Sequence, residues 1–294
     1  MEFFLQLVLA GLSVGAAYAL IAMGLCLTFW TTKTLNFGQG SLLMFGAVAF
    51  TALVGEGVPA TLAFAISLTL GGVLMVLAER IAIRPLLKHG DGMGWTVSTL
   101  GFGFFLQGLV AKYFGSQAIA VPALWVDGTH YISVAGLQLS MQSMSVLATS
   151  LALTLVMEWF LGASVWGRAV RAVAHDSSAA AVAGIPVRGV IVLSFIGSGI
   201  LACLAGVLLA QINGTVDPGF GFNLMVSGFV AAVFGGMGSV RGAMVGGITL
   251  GVLEKLVGGY VSTAFEHAMA FAILIGILVA RPEGLFGQRE INKV

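Results

Sequence analysis

Charge is scarce in this chain. Thirteen Lys and Arg and twelve Asp and Glu make up only 9% of its 294 residues, against about 25% in a soluble globular domain. That deficit excludes a water-soluble fold, and a formal net charge of +1 gives no reason to expect a nucleic-acid partner. Cysteine is as rare. Cys26 and Cys203 both fall in apolar stretches, so inert packing is expected of them and they say little about redox compartment. Several catalytic signatures are missing: no Gly-x-x-x-x-Gly-Lys-[Ser/Thr] phosphate loop, no His-Glu-x-x-His, no paired Cys and no Gly-x-Ser-x-Gly elbow. The chain is therefore expected to be no enzyme, and to bind neither metal nor cofactor. If its work consumes ATP, another subunit binds the nucleotide. The opening Met1-Glu2-Phe3-Phe4 lacks the basic region and cleavage site of a signal peptide, so the first apolar span is expected to be retained.

What remains is apolar sequence and glycine: 59% hydrophobic residues and 42 Gly. A membrane span needs about 20 apolar residues, fewer where neighbouring protein shields it. Nine stretches qualify, at about 4–30, 38–55, 58–79, 93–114, 141–162, 189–212, 223–238, 242–257 and 264–281. The close spacing of the last three widens the count to 8–10. The expected fold is an all-α, polytopic transmembrane helical bundle forming a single transmembrane domain over 1–294.

Orientation follows from basic residues, which favour the cytoplasmic side. With the N-terminus outside and nine spans, the inner connections hold Lys33, Arg80, Arg84, Lys88, Arg168, Arg171, Arg188, Arg241, Arg281, Arg289 and Lys293. Those are 11 of the 13 basic residues. Lys112 and Lys255 fall at outer span ends. The C-terminus is then inside. The one long outer connection, 115–140, carries Trp125, Asp127 and Tyr131, whose aromatic rings suit an interfacial belt. Glu158, Glu254, Glu266 and His267 all sit toward span ends, so no mid-span proton relay is visible.

Two stretches break the apolar pattern with Gly and polar residues. Asn36-Phe37-Gly38-Gln39-Gly40-Ser41 opens the second span, and Gly235-Gly236-Met237-Gly238-Ser239 lies between the seventh and eighth. Irregular backbone at membrane depth survives only beside protein or a water-filled cavity, and transporters place it along the substrate path. Asn36, Phe37, Gln39, Gly40, Ser41, Gly236, Gly238 and Ser239 are therefore candidate pathway residues; the plainer alternative is a turn or tight packing. Gly11/Gly15, Gly242/Gly246 and Gly247/Gly251 each place two glycines on one helix face, the pattern of close helix packing in lipid.

A third stretch, 163–188, is polar and Ala-rich. Arg168, Arg171, His175 and Asp176 exclude it from the hydrocarbon core. Asp176 precedes Ser-Ser-Ala-Ala-Ala-Val-Ala as an N-cap would, and Gly184 and Pro186 then close a short helix. The expected product is a compact cytoplasmic knob that docks a partner. Its candidate contacts are Arg168, Arg171, Asp176, Ala179, Ala180, Ala181, Ala183 and Gly184. The arginines serve equally well as ion-pair partners or as positive-inside anchors.

These residues resemble a known family, the membrane permease subunits of branched-chain amino acid ABC importers of the LivH type. The resemblance runs through Asn36-Phe37-Gly38-Gln39-Gly40, Met44-Phe45-Gly46-Ala47, Glu79-Arg80, Arg84-Pro85-Leu86, Ser98-Thr99-Leu100-Gly101 and Leu106-Gln107. It continues through Gly167-Arg168-Ala169, Ala183-Gly184-Ile185, Gly235-Gly236-Met237-Gly238-Ser239, Gly242-Ala243, Gly246-Gly247 and Arg281-Pro282-Glu283-Gly284-Leu285-Phe286-Gly287. In that family the second-span signature usually reads Asn-Phe-Ala-His-Gly. Gly38 and Gln39 stand here for Ala and His, and Gln39 hydrogen-bonds but cannot titrate.

The resemblance implies a multi-pass protein of the bacterial cytoplasmic (inner) membrane. Its implied partners are a second permease subunit, homologous or identical, two ATPase subunits that hold ATP and Mg, and an extracytoplasmic substrate-binding protein. The solute implied is small: a branched-chain or other hydrophobic amino acid, with amides and carboxylates left open by the altered signature. The competing reading is an ATP-independent secondary carrier or channel.

Overall fold

The computed structural model describes residues 1–87, 94–125, 131–134, 137–281 and 284–287. Asp127, Pro282, Glu283, Lys88, Arg289, Lys293 and the His267 side chain lie outside the described residues. Eleven of the helices matter here: α1 Glu2–Thr32, α2 Gln39–Gly55, α3 Ala60–Ala78, α4 Arg84–Leu87, α5 Gly94–Phe114, α6 Met141–Ala163, α7 Val165–His175, α8 Ser177–Val182, α9 Val187–Asn213, α10 Phe220–Gly235 and α11 Val240–Tyr260. A twelfth, α12 Glu266–Ala280, closes the bundle. Nine of the twelve coincide with the nine apolar stretches. Six are long and apolar enough to cross a membrane by themselves, while α2 and α10 are apolar but shorter.

The remaining helix of the nine, α11, packs along α1. A Cβ on Gly11 of α1 would lie 2.6 Å from Val252 Cα, and one on Gly15 2.8 Å from the Gly247 carbonyl. Residue numbers rise along α1 as they fall along α11, so the two helices are antiparallel. Their ends agree: Phe3 meets Tyr260 edge-to-face at 5.7 Å, and the Trp30 indole donates to the Met237 carbonyl at the other end. Glycine pairs on both helices thus face each other, and only missing side chains let the backbones approach so closely.

Centrally placed α9 uses the same device against α2 and α3. Cys203 sits where a Cβ on Gly46 would fall, 2.6 Å from its Cα, and its thiol donates to the Leu42 carbonyl at 3.3 Å. Cys26 and Cys203 are both free and buried.

The helix ends sort into two rims. One gathers Lys33, Arg80, Arg84, Arg168, Arg171, Arg188, Arg241 and Arg281, at the ends of α1, α3, α6, α9, α11 and α12. Arg241 pairs with Glu158 at 2.5 Å there, tying the start of α11 to the end of α6. Beside it, α3 widens into a π turn at Glu79–Ile83 just before Pro85, with Arg84 closing on buried Glu79 at 2.9 Å. A proline cannot donate to the preceding turn, and the looser ladder accommodates it. The opposite rim holds Lys112 and Lys255. It also carries a two-stranded pair of β1 Ile119–Ala120 with β4 Thr215–Val216, and a hairpin of β2 Tyr131–Val134 with β3 Leu137–Ser140.

Candidate functional site

Two helices begin inside the bundle rather than at a rim. α1 ends at Lys33, which takes the left-handed conformation at φ 55° and turns the chain back. The Asn36 carboxamide accepts from the Gly38 N–H at 3.0 Å and holds this return. α2 then starts at Gln39, whose Nε2 donates to the Ile21 carbonyl at 3.0 Å. From Ile21 to Thr32 is 11 residues (32 minus 21), so α2 starts about 16 Å of helix rise from the end of α1.

α10 mirrors this arrangement from the other rim. After β4, the chain passes Asp217 and Pro218 and begins α10 with Gly221 packed directly on the Gly40 carbonyl. Further along, Gly228 packs on Ile21, near the level of Gln39. The two N-termini therefore meet within the bundle. Neither N-cap residue has a side chain to offer, since Gly38 and Gly219 occupy those positions. The Gln39, Phe220 and Phe222 N–H groups donate to the Asn36, Asp217 and Gly219 carbonyls, and each helix start carries the positive end of its dipole.

A crevice opens where they meet. Its deep part, a slot of about 10 Å³ and so water-sized in this conformation, is lined by Phe37, Gly40, Ser41, Leu100, Gly103 and Gly221, and it shares Phe104, Gln107 and Pro218 with the outer part. That outer part is an open groove of about 520 Å³ reaching Ala111, Ser116 and Asp217 toward the rim with the β pairs. Asp217 Oδ1 accepts from the Gly219 N–H at 2.7 Å. The walls are apolar, with backbone donors at the helix starts, one carboxamide midway and one carboxylate at the mouth. Such a surface suits a small solute with a charged end and an apolar body. Among the described residues no group of three His, Cys, Asp or Glu is placed to hold a metal ion.

Of the pathway candidates, the structure brings Phe37, Gly40 and Ser41 to the crevice. Asn36 and Gln39 face away into the protein. Asn36 Nδ2 donates to Met75 Sδ at 3.2 Å, and Gln39 accepts from Ser198 at 3.3 Å while donating to Ile21. Both are buried and tie α2 to α1, α3 and α9. Gly236, Gly238 and Ser239 lie at the basic rim, away from the crevice. Gly236, at φ 94°, ends α10 against Gly287, and Ser239 caps α11 by accepting from the Gly242 N–H at 3.1 Å. Gln107, Phe104 and Asp217 also line the crevice, beyond the candidates that the sequence marks. A lone carboxamide halfway along an apolar helix is the signal that marks Gln107.

The polar stretch 163–188 folds at the basic rim into two short helices, α7 and α8, packed on α1, α6 and α9. Asp176 caps α8, accepting from the Ser178 and Ala179 N–H groups at 2.8 and 3.0 Å. Those two bonds, Ala179's first, hold its carboxyl below the usual carboxylate range. Gly184, at φ 82°, closes the helix, with Ile185 N–H returning to the Ala180 carbonyl at 3.0 Å. Inside, Val170, Val173, Ala180 and Val190 form a small apolar cluster.

Ala180 is thus turned inward, at 4% exposure, and offers nothing to a partner. Ala179, Ala181, Ala183 and Gly184 are exposed, and Val182 stands out at 91%. The exposed apolar surface expected of Ala180 is supplied instead by Val182. Both arginines turn back onto the protein: Arg168 donates to the Ala163 carbonyl at 3.1 Å, and Arg171 to the carbonyls of Leu161 and Gly162. They satisfy the last carbonyls of α6, where cations are favoured by the helix dipole.

Comparison with known proteins gives a consistent picture. A family model described as the branched-chain amino acid transport system permease component matches residues 7–278. The high-affinity branched-chain amino acid transport system permease protein LivH of Salmonella typhimurium is 35% identical over 305 aligned residues, covering 99% of this chain and 98% of that protein. The corresponding protein BraD of Pseudomonas aeruginosa is 34% identical over 304, again covering 99% and 98%. Among solved structures, PsaBC from Streptococcus pneumoniae in complex with Fab superposes with a TM-score of 0.52 over 97% of this chain and 94% of that one. At 12% identity this last likeness is one of fold alone.

Proposed function

Because the chain belongs to the family of branched-chain amino acid transport permease components, we propose that its crevice at α2, α5 and α10 is the substrate path. The solute proposed is a branched-chain or other hydrophobic amino acid. The chain is a permease component of an ABC importer, a multi-pass protein of the cytoplasmic membrane, and is not itself the ATPase.

The observation that carries the path is the meeting of two helix starts, at Gly40 and Gly221, beside an apolar wall. Their positive dipole ends suit a carboxylate, Phe37, Leu100 and Phe104 suit an aliphatic side chain, and Asp217 at the mouth suits an ammonium. The altered signature residue supports the amino-acid reading, since Gln39 lies off the crevice and serves helix packing.

The basic rim is placed in the cytoplasm by the positive-inside tendency. There the segment 163–188 forms the coupling element, pressed on by ATPase subunits that bind ATP and Mg. The groove is open on one side, where α5 exposes Val97, Phe104 and Phe105, and a second permease subunit closes it. A binding protein delivers the solute from the opposite rim. Stroke and release alternate access through rigid helix movements.

The test is uptake of labelled leucine into proteoliposomes holding the permease with its ATPases, with binding protein and ATP supplied. Uptake that needs ATP hydrolysis supports the reading. Uptake driven by an ion gradient, without any ATPase, sinks it in favour of a secondary carrier.

A further inference from the structure

The apolar cluster inside α7 and α8 is separate from the main core of the bundle. Among the described residues, one side chain packs on both: Trp30, near the end of α1. Its ring lies against the cluster of Val170, Val173, Ala180 and Val190, and its indole Nε1 donates to the Met237 carbonyl at 2.5 Å. Met237 lies in the short Gly-rich turn between α10 and α11. The turn is closed by the Ser239 N–H donating to the Gly236 carbonyl at 3.1 Å, with Gly236 at φ 94° packed against Gly287.

α10, which ends in this turn, is the helix whose other end forms the crevice wall at Gly221. Its last carbonyls, Phe234 and Gly235, are taken by the N–H groups of Leu285 and Phe286 from the C-terminal segment. The inner end of α10 is held by this backbone clasp and by Gly235 packing directly on the Gly242 carbonyl of α11. The indole hydrogen bond to Met237, in the turn that follows α10, is the contact that leads from there to the α7–α8 element.

We propose that Trp30 is the positioning residue that carries movement of the α7–α8 element to α10 and so to the crevice. This rests on the ATP-driven permease reading above. An aromatic ring suits the role because it packs as a rigid plate on one side and offers one directed donor on the other. A displaced cluster then pulls the turn through that bond, and α10 tilts as a rod because its own ladder is intact. Trp30 touches no substrate in this scheme.

The experiment uses the complete transporter in proteoliposomes, with Trp30→Phe and Trp30→Ala compared with wild type. Phe keeps the ring against the cluster and removes only the N–H donor; Ala removes both. Three quantities are read: ATPase co-purification, ATP hydrolysed per leucine taken up, and the nucleotide-dependent change in thiol-labelling rate at Ala111→Cys in the groove. The native cysteines are buried, so the reporter thiol stands alone.

In Trp30→Phe the ATPases are expected to co-purify as in wild type. Leucine moved per ATP falls about fivefold, the factor worth one neutral hydrogen bond, and the labelling response shrinks with it. Trp30→Ala loses more of both. An unchanged ratio of leucine to ATP in Trp30→Phe overturns the proposal. So does loss of ATPase binding in Trp30→Phe, which would make Trp30 a shaping residue of the α7–α8 element only. Absence of ATP-dependent uptake in wild type is a different result, and it removes the permease reading itself.

Discussion

Val182 and Ala180 lie two residues apart on α8 and make opposite predictions. Val182 is 91% exposed at the basic rim, whereas Ala180 is 4% exposed against Val170, Val173 and Val190. If α8 docks an ATPase through its outer face, Val182 is buried on docking, a gain of about 1.5–3 kcal/mol for a full Val side chain. Replacing it with Glu forfeits that gain and places a charge in the contact. ATPase affinity then falls by about tenfold or more, at roughly 1.4 kcal/mol per decade. The knob itself stays folded, because the Val182 side chain makes no part of its apolar cluster. Ala180→Arg acts by another route. It forces a long charged side chain into the cluster, where overpacking alone costs about 1–3 kcal/mol and the buried charge more. The assay combines ATPase binding to permease in nanodiscs with brief trypsin digestion, which reports on Arg168, Arg171 and Arg188 in and beside the knob. Val182→Glu should bind weakly and resist trypsin like wild type; Ala180→Arg should bind weakly and be cut. ATPase binding by Val182→Glu within twofold of wild type would refute the docking face.

Glu254 offers a stability test: its carboxylate accepts from Tyr18 at 2.8 Å and Ser227 at 3.0 Å, joining α11 to α1 and α10. Glu254→Leu strands two buried hydroxyls at about 1–3 kcal/mol each, so the thermal midpoint in detergent should drop several degrees, while Glu254→Gln drops less. A Glu254→Leu midpoint equal to wild type would show that the bonds contribute nothing. The Asp176 cap carries a pH signature. Its carboxyl is held below its unfolded value near 3.9, so the contribution is complete above that value and disappears as pH falls through the lowered one. Hydrogen exchange at Ser178 and Ala179, corrected for intrinsic rate, should be flat from about pH 8 to 5 and rise only in acid. Asp176→Asn should remove that rise.

Hydropathy and composition carry the fold a long way in this chain. The nine helices stand where the apolar stretches are, and Gly11, Gly15, Gly247 and Gly251 were readable as close-packing faces. Capping chemistry is local, so Asp176 and Gly184 announced α8 and its end. The facing of α8 was not legible in the same way, because one alanine of a run is chemically the same as the next. Only the position of Val170, Val173 and Val190 in space turns Ala180 inward. Depth was equally hidden. An apolar run reports that a helix is shielded from water, but not that α2 begins beside Ile21 rather than at the rim. The crevice is made by that depth, which brings Gly40 to Gly221 across 181 positions of chain (221 minus 40). Gln107 and Asp217 join it from two further elements. Polar character alone marked Asn36 and Gln39, yet buried polar groups in a helical membrane protein also serve as glue between helices, as these do.

The central claim is that the solute passes through the crevice at the junction of α2 and α10. The most direct test is Ser41→Cys, a thiol in the deep part of the crevice beside Gly103. The complete transporter is reconstituted, its ATP-dependent leucine uptake recorded, and the thiol then modified with a bulky maleimide. The account predicts that modification stops uptake while ATP hydrolysis continues, and that saturating leucine delivered by the binding protein slows the modification. Undiminished uptake after complete modification would contradict the account and place the path elsewhere in the bundle.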